Sequence, residues 1–213
     1  MSNYTARYDF IQEVDQHGNA VPSDFYDQGE ALGIDAFERI VLELRGKSEP
    51  HVMIELGSNQ AYYSCLFNAM LRDYETKTIL VEPYDEFMLR SKRHFEINGF
   101  EASYDNRSIG DTWESWRKYK FTNGEVTVDQ LLEEHGLDYV SVLHADIDGS
   151  EAKMLAGAVK SLKRKKIHWL FILTHGYEMH YDCMYELRVH DYEIVLNYDK
   201  GQVGTDGLII AKA

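Results

Sequence analysis

Residues His144, Asp146 and Asp148 stand at alternating positions where the apolar run 139–144 ends. On extended backbone the i, i+2, i+4 spacing projects all three to one side, so an imidazole and two carboxylates share one wall. Such a wall can take a proton from a hydroxyl or hold a divalent cation, and the sequence leaves the role of a metal undecided. Asp146 is expected to face the reacting centre and to contact the cofactor bound there. His175 closes a second apolar run, 168–174, in Thr174-His175-Gly176. It is expected to be the general base, with His144 as the second choice.

A second constellation points to a ligand for this wall to act on. The run Ile54-Glu55-Leu56-Gly57-Ser58-Asn59-Gln60-Ala61 sits where an apolar segment passes into a helical pattern. Gly57 permits a tight turn and close backbone approach, and Ala61 replaces the later glycine of a nucleotide-binding turn. The acid at Glu55 suits an ammonium group better than a diphosphate. Glu82 follows Gly57 by 25 residues, in Val81-Glu82-Pro83 at the end of the next apolar run. A carboxylate there accepts hydrogen bonds from ribose hydroxyls. Asn106, Arg107 and Ser108 follow the third run and offer polar groups for an adenine edge. An aminoacyl-nucleoside fits both ends.

These residues need a scaffold that gathers strand ends. Seven apolar runs begin near residues 51, 78, 101, 139, 168, 193 and 207. Helical patterns occupy 35–44, 62–73, 86–98, 128–135, 150–165 and 181–190. The alternation predicts an α/β Rossmann-like three-layer sandwich with a seven-stranded, mostly parallel sheet. The link 198–201 has no room for a helix, so the last two strands are expected to form an antiparallel hairpin. Ligands of such sheets bind outside the carboxyl ends of the strands, where the strand order switches. No linker divides the chain, and one domain over 1–213 is expected, with 1–50 as an N-terminal helical or cap segment.

Composition narrows the function. Lys and Arg number 22 against 36 Asp and Glu, a formal charge of −14 that repels polyphosphate and anionic lipid. Nucleic acid and membrane are therefore not expected as partners. Two cysteines, Cys65 and Cys183, make no disulfide framework, and the first residues lack an apolar signal core; a reducing, cytoplasmic setting is the expectation. Trp113, Trp116, Tyr119 and Phe121 form an aromatic cluster that either walls the site or packs a loop. The outline His144-Ala145-Asp146 with His175 or His180 also matches a two-histidine, one-carboxylate iron site, but the strand-helix alternation argues against the barrel such oxygenases use.

The turn IELGSNQAYYS, the strand end LVEP, the stretch 126–158 and the terminal DGLIIA together resemble the FkbM-type S-adenosylmethionine-dependent methyltransferases. The resemblance spans about residues 52–211. It implies a class I methyltransferase fold, S-adenosylmethionine as cofactor, and O-methylation of a small-molecule acceptor of sugar or glycan type. It also implies that Glu55, Gly57, Ser58, Asn59 and Ser64 hold the methionine end, Glu82 the ribose, and Asn106 to Ser108 the base. The chain departs from the family pattern at His144 and Asp148, where lysine and glutamate are usual. A methyltransferase-fold binding protein without turnover is the alternative, and oligomeric state is left open.

Overall fold

The computed structural model describes residues 13–14, 20–21, 28–110, 123–199 and 206–213. Its central sheet has seven strands: β1 (His51–Leu56), β2 (Thr76–Val81), β3 (Ser103–Asp105), β4 (Val140–Ala145), β5 (Ile167–Thr174), β6 (Glu193–Tyr198) and β7 (Gly207–Lys212). They lie in the order β6-β7-β5-β4-β1-β2-β3. The five strands from β5 to β3 run parallel, and β7 is antiparallel to both its neighbours. The expected hairpin is present, and its second strand inserts between β5 and β6. Every residue of β1 and β4 is buried, as their consecutive apolar positions require of strands covered on both faces.

Helices α1 (Gln28–Leu44), α2 (Tyr62–Met70) and α3 (Asp85–Asn98) contribute to the core on one face. On the other lie α4 (Val128–Glu134), α5 (Glu151–Ala156), α6 (Val159–Lys163) and α7 (Tyr177–Val189). The chain leaves β1 toward β2 on one side and returns after β3 to enter β4 on the other. The strand order therefore switches between β1 and β4, and their carboxyl ends splay into a crevice.

Three features differ from the expected pattern. Helices α1 and α7 begin earlier, at Gln28 and Tyr177. A short parallel pair, Ser108–Ile109 with Glu125–Val126, stands beside the main sheet. Its strands are two residues long, too short for periodicity to reveal. The helix expected over 150–165 breaks into α5 and α6 at Gly157. A Cβ at Gly157 would stand 2.6 Å from the Gly110 carbonyl oxygen and 3.1 Å from Thr127 Cβ, so the break is where the short pair presses on the helix layer. The Gly157 carbonyl accepts from Asp129 N at 3.0 Å, and Thr127 caps α4 with a reciprocal Gln130 bond. The expected aromatic cluster at 113–121 and the turn at 17–19 lie outside the described residues.

Gly157→Ala is expected to destabilise the protein by about 1–3 kcal/mol through overpacking. Helix propensity alone predicts the opposite sign, a gain of up to about 1 kcal/mol. Urea denaturation distinguishes the two.

Candidate active site

The site is built on the turn after β1. Gly57 N and Ser58 N both donate to the Val81 carbonyl, at 2.9 and 3.2 Å, which ties the turn to β2. Gly57 has φ +73°, and a Cβ there would lie 1.9 Å from the Asp146 carbonyl oxygen. Both the dihedral and the contact demand glycine. On the same side Asp146 N donates to Leu56 O at 3.0 Å, so β1 and β4 stay joined one step past their ends. Asn59 and Ala61 adopt left-handed backbone, with φ 45° and 58°. Helix α3 holds the turn from outside: Ser91 Oγ donates to Asn59 O at 2.6 Å, and His94 Nδ1 to Gln60 O at 2.6 Å.

Glu82 is buried at the end of β2. Its Oε2 accepts from Asn59 N and its Oε1 from Tyr84 N, each at 3.0 Å. Burial raises its pKa above the ordinary carboxylate range, and the two amides oppose the rise. One acceptor position on each oxygen is thus taken by backbone; a carboxylate has further lone pairs to offer a vicinal diol.

A cavity of about 570 Å³ opens here, outside the carboxyl ends of β1, β2 and β4. Gly57, Asn59, Glu82, Ser108, Asp146 and Asp148 line it together. Residues that sequence reasoning missed complete the wall: Pro83, Tyr84 and Phe87 after β2, Ile109 and Glu125 from the short pair, and Ile147, Gly149, Ser150 and Lys153 beyond β4. Tyr84 and Phe87 lie within five residues of Glu82, where the chain leaves β2 for α3, and the intervening Asp85 and Glu86 do not reach the cavity.

Other expected residues lie elsewhere. Glu55, Ser58, Ser64, Asn106, His144 and His175 are not on the cavity wall. Ser58 Oγ pairs with Ser91 Oγ at 3.0 Å. Asn106 donates to Glu82 O and Asp85 Oδ1 at 3.4 and 3.3 Å. Arg107 spends its guanidinium on Asp105 and Glu134, fastening β3 to α4.

The shared wall of His144, Asp146 and Asp148 does not form. Strand β4 ends at Ala145, and Asp148 takes φ 49°, so alternation stops before the second aspartate. Within β4 alternation sends His144 into the α1–α2 face, where it stacks on Tyr63 and Phe171 with centroids 4.3 and 5.3 Å apart. Burial depresses its pKa to about 3, so it is neutral. Its register partner Glu55 is buried beside it, with Oε1 3.8 Å from His144 Nδ1. Glu55 Oε2 accepts from Ser64 N at 3.1 Å and so anchors the first turn of α2. Desolvation raises Glu55 to about 8.

His175 departs from the role expected of it. Its Nδ1 donates to Glu151 Oε1 at 2.7 Å, while Nε2 lies 3.3 Å from Asp146, 3.6 Å from Asp148 and 4.0 Å from Asp206. The Glu151 hydrogen bond, with the surrounding carboxylates, raises its pKa to about 9 against the effect of burial. At neutral pH the ring is an imidazolium without a lone pair to take a proton. Asp146 keeps 43% of its side-chain surface, yet partial desolvation raises it to about 6, with the His175 charge opposing.

His180 is buried between Thr174 Oγ1 and Asn197 Oδ1, at 2.7 and 2.6 Å, and Cys183 is buried with its thiol pushed up to about 12. Among the described residues neither His175 nor His180 joins His144 and Asp146 in an iron-type triad. Among the described residues no group of three or more His, Cys, Asp or Glu has metal-site geometry. No described helix is long and apolar enough to cross a membrane.

No family model matches the sequence, and no curated protein matches it. Solved structures do. The methyltransferase domain of METTL16 superposes with a TM-score of 0.62 at 16% identity, over 97% of this chain and 75% of that one. The FkbM methyltransferase of Methylobacillus flagellatus gives 0.60 at 17% identity, over 79% of this chain and 45% of that one. The N-terminal domain of human METTL16, in complex with SAH, gives 0.58 at 13% identity, over 94% and 75%. The likeness is one of fold: the chain has the Rossmann-like architecture of class I methyltransferases.

Glu55 tests the burial argument. Its folded pKa of about 8 lies above the unfolded value, so its contribution to stability is complete below about pH 4.5 and lost as pH rises to 8. Glu55→Gln removes that loss. Its stability relative to the unmodified protein is expected to rise by at least about 1 kcal/mol between pH 5 and pH 8, measured by urea denaturation.

Proposed function

We propose that the protein is an S-adenosylmethionine-dependent methyltransferase that methylates a hydroxyl of a small-molecule acceptor of sugar type. The observation that carries this reading is Glu82. It stands on the wall of a cavity at the strand-order switch of a methyltransferase fold, its carboxylate fixed by the amides of Asn59 and Tyr84. That arrangement suits the two hydroxyls of a ribose. The SAH-bound neighbour adds support, since SAH is the product this donor leaves.

In this reading the backbone of Gly57 to Asn59 borders the amino-acid end of the cofactor, and Glu82 accepts from its ribose. Tyr84, Phe87 and Ile109 supply an apolar enclosure for the base, with Ser108 Oγ near its edge. Glu55 and Ser64 act from beneath, by fixing the start of α2, rather than by touching the ligand. S-adenosylmethionine supplies a methyl group activated on a sulfonium. The chain's share of the chemistry is alignment, which can account for much of the rate, and removal of the hydroxyl proton. Asp146 is the assigned base. A carboxylate with a pKa near 6 is ionised at neutral pH and basic enough to share a proton with a hydroxyl as the bond forms.

The acceptor class follows from charge. Glu125, Asp146 and Asp148 line the cavity against the single lysine Lys153. A neutral hydroxylated acceptor enters that field without cost, whereas a polynucleotide would bring phosphates to it.

Calorimetry with S-adenosylmethionine and SAH tests the first step. Binding is expected in the wild type and is expected to weaken by about tenfold or more in Glu82→Ala, which removes two hydrogen bonds to a charged group. Asp146→Asn should bind the cofactor within about threefold of wild type but lose about 10²-fold or more of the transfer to a hydroxylated acceptor panel. Failure of both nucleosides to bind, or tighter binding of a dinucleotide, refutes the assignment. Cofactor binding without transfer to any member of the panel favours the binding-protein alternative.

A further inference from the structure

We propose that Glu151 and His175 are a positioning pair for Asp146: Glu151 orients the His175 ring from behind, and His175 holds the Asp146 carboxylate from outside the cavity wall. The assignment rests on the reading of Asp146 as the acceptor-side base. His175 thereby changes role, from the proton acceptor its place in the sequence suggests to the group that sets the acceptor in place.

The geometry runs from the interior outward. Glu151, in the first turn of α5, is wholly buried. A single oxygen, Oε1, accepts from both His175 Nδ1 at 2.7 Å and Gly149 N at 3.2 Å. One atom therefore registers the ring on β5's end and the loop that leaves β4. The other oxygen, Oε2, is buried without a hydrogen-bond partner among the described residues. A buried carboxylate is costly unless a cation pairs with it, and His175 is the cation placed to do so.

With Nδ1 committed, the ring has one direction left for Nε2. It points among Asp146 at 3.3 Å, Asp148 at 3.6 Å and Asp206 at 4.0 Å. Asp148 is almost wholly exposed, at 95% of its side-chain surface, and water screens it; Asp146 is the nearest and the less exposed of the two. The main chain of Asp146 is already fixed by its bond to Leu56 O and by contact with Gly57. His175 adds the constraint that the backbone cannot supply, the direction of the carboxylate.

The charged groups facing this pair come from every surrounding element. Glu151 faces it from α5, Asp148 from the loop after β4, Asp206 from the residues before β7, and Glu55 from β1 beneath. All are acids. His175 is the cation named among them, so its charge opposes both burial and four neighbouring carboxyl groups in keeping Asp146 ionised. The sign follows: loss of the cation raises the Asp146 midpoint, because only the charged form of Asp146 gains from it.

Carboxyl-carbon and imidazole NMR titration of the full chain, with Asp146 assigned through Asp146→Asn and His175 through His175→Gln, reads this directly and needs neither cofactor nor acceptor. His175→Gln is expected to move the Asp146 midpoint upward by about one pH unit or more. Glu151→Gln is expected to lower the His175 midpoint by about one unit or more. Glu151→Asp, which keeps the charge, should restore part of that fall. A packing role alone would leave these midpoints where they are. An Asp146 midpoint unchanged in His175→Gln overturns the proposal. If His175→Gln fails to fold, the His175 midpoint in Asp146→Asn decides the matter: it is expected to fall, and an unchanged value overturns the proposal. Cofactor calorimetry on the same samples keeps the two readings apart. Coupled midpoints with no S-adenosylmethionine binding sink the proposed function, whereas binding with uncoupled midpoints sinks the pair.

Discussion

The closest constraint in the molecule is steric: the turn after β1 lies against the carbonyl of Asp146 with no room for a side chain between them. That contact joins the two strands at which the sheet changes direction. Because Leu56 O and Asp146 N also bond across it, the ends of β1 and β4 are held together before their chains diverge. The cavity exists because they diverge immediately afterward, one toward α2 and the other toward α5. Gly57 therefore acts less as a cradle for a ligand than as a spacer that lets two backbones meet. The cavity's width is set by where they part.

Three glutamates are buried close to this junction, and each is tied to main-chain amides. Glu55 takes Ser64 N, Glu82 takes Asn59 N and Tyr84 N, and Glu151 takes Gly149 N. Each bond fixes a turn or the first residues of a helix, where amides lack intrahelical partners. The two acids expected as ligand contacts, Glu82 and Glu55, thus divide by depth. Glu82 also reaches the cavity, whereas Glu55 and Glu151 fasten the chain behind it. In an acidic protein, burying Glu55 and Glu82 against main-chain amides keeps these turns together without drawing on lysines and arginines, whereas Glu151 has the His175 ring beside its amide.

The architecture was legible because strands covered on both faces must be apolar at consecutive positions, as 51–56 and 140–145 are. The order of Gly57, Glu82 and Asp146 along the chain followed from the same logic, since each ends a strand. What escaped was whatever depends on where a strand stops. Alternation placed His144 beside Asp146, but β4 ends between them, and one residue of strand is enough to send a side chain to the opposite face. His175 was found, yet its ionisation was not, because Glu151 lies 24 residues away and only the packing of α5 on β5 brings it within 2.7 Å. The apolar wall of Tyr84, Phe87 and Ile109 follows no period, since two of its members come from loop and helix start and the third from a two-residue strand.

The inserted strand β7 has an implication for the order of assembly. Among the described residues strand β6 has β7 as its sole strand neighbour, although β6 precedes β7 in the chain. It cannot join the sheet until the later segment has been synthesised, so during translation the flank of β5 stays unzipped and Phe171 and Ile172 lie at an open margin. The local ladder between β6 and β7 closes over a short span, whereas docking on β5 spans a longer one. Hairpin first, then lateral addition as a preformed ribbon, is the sequence of events this topology favours, and the unzipped margin is where a nascent chain is most exposed to unwanted pairing.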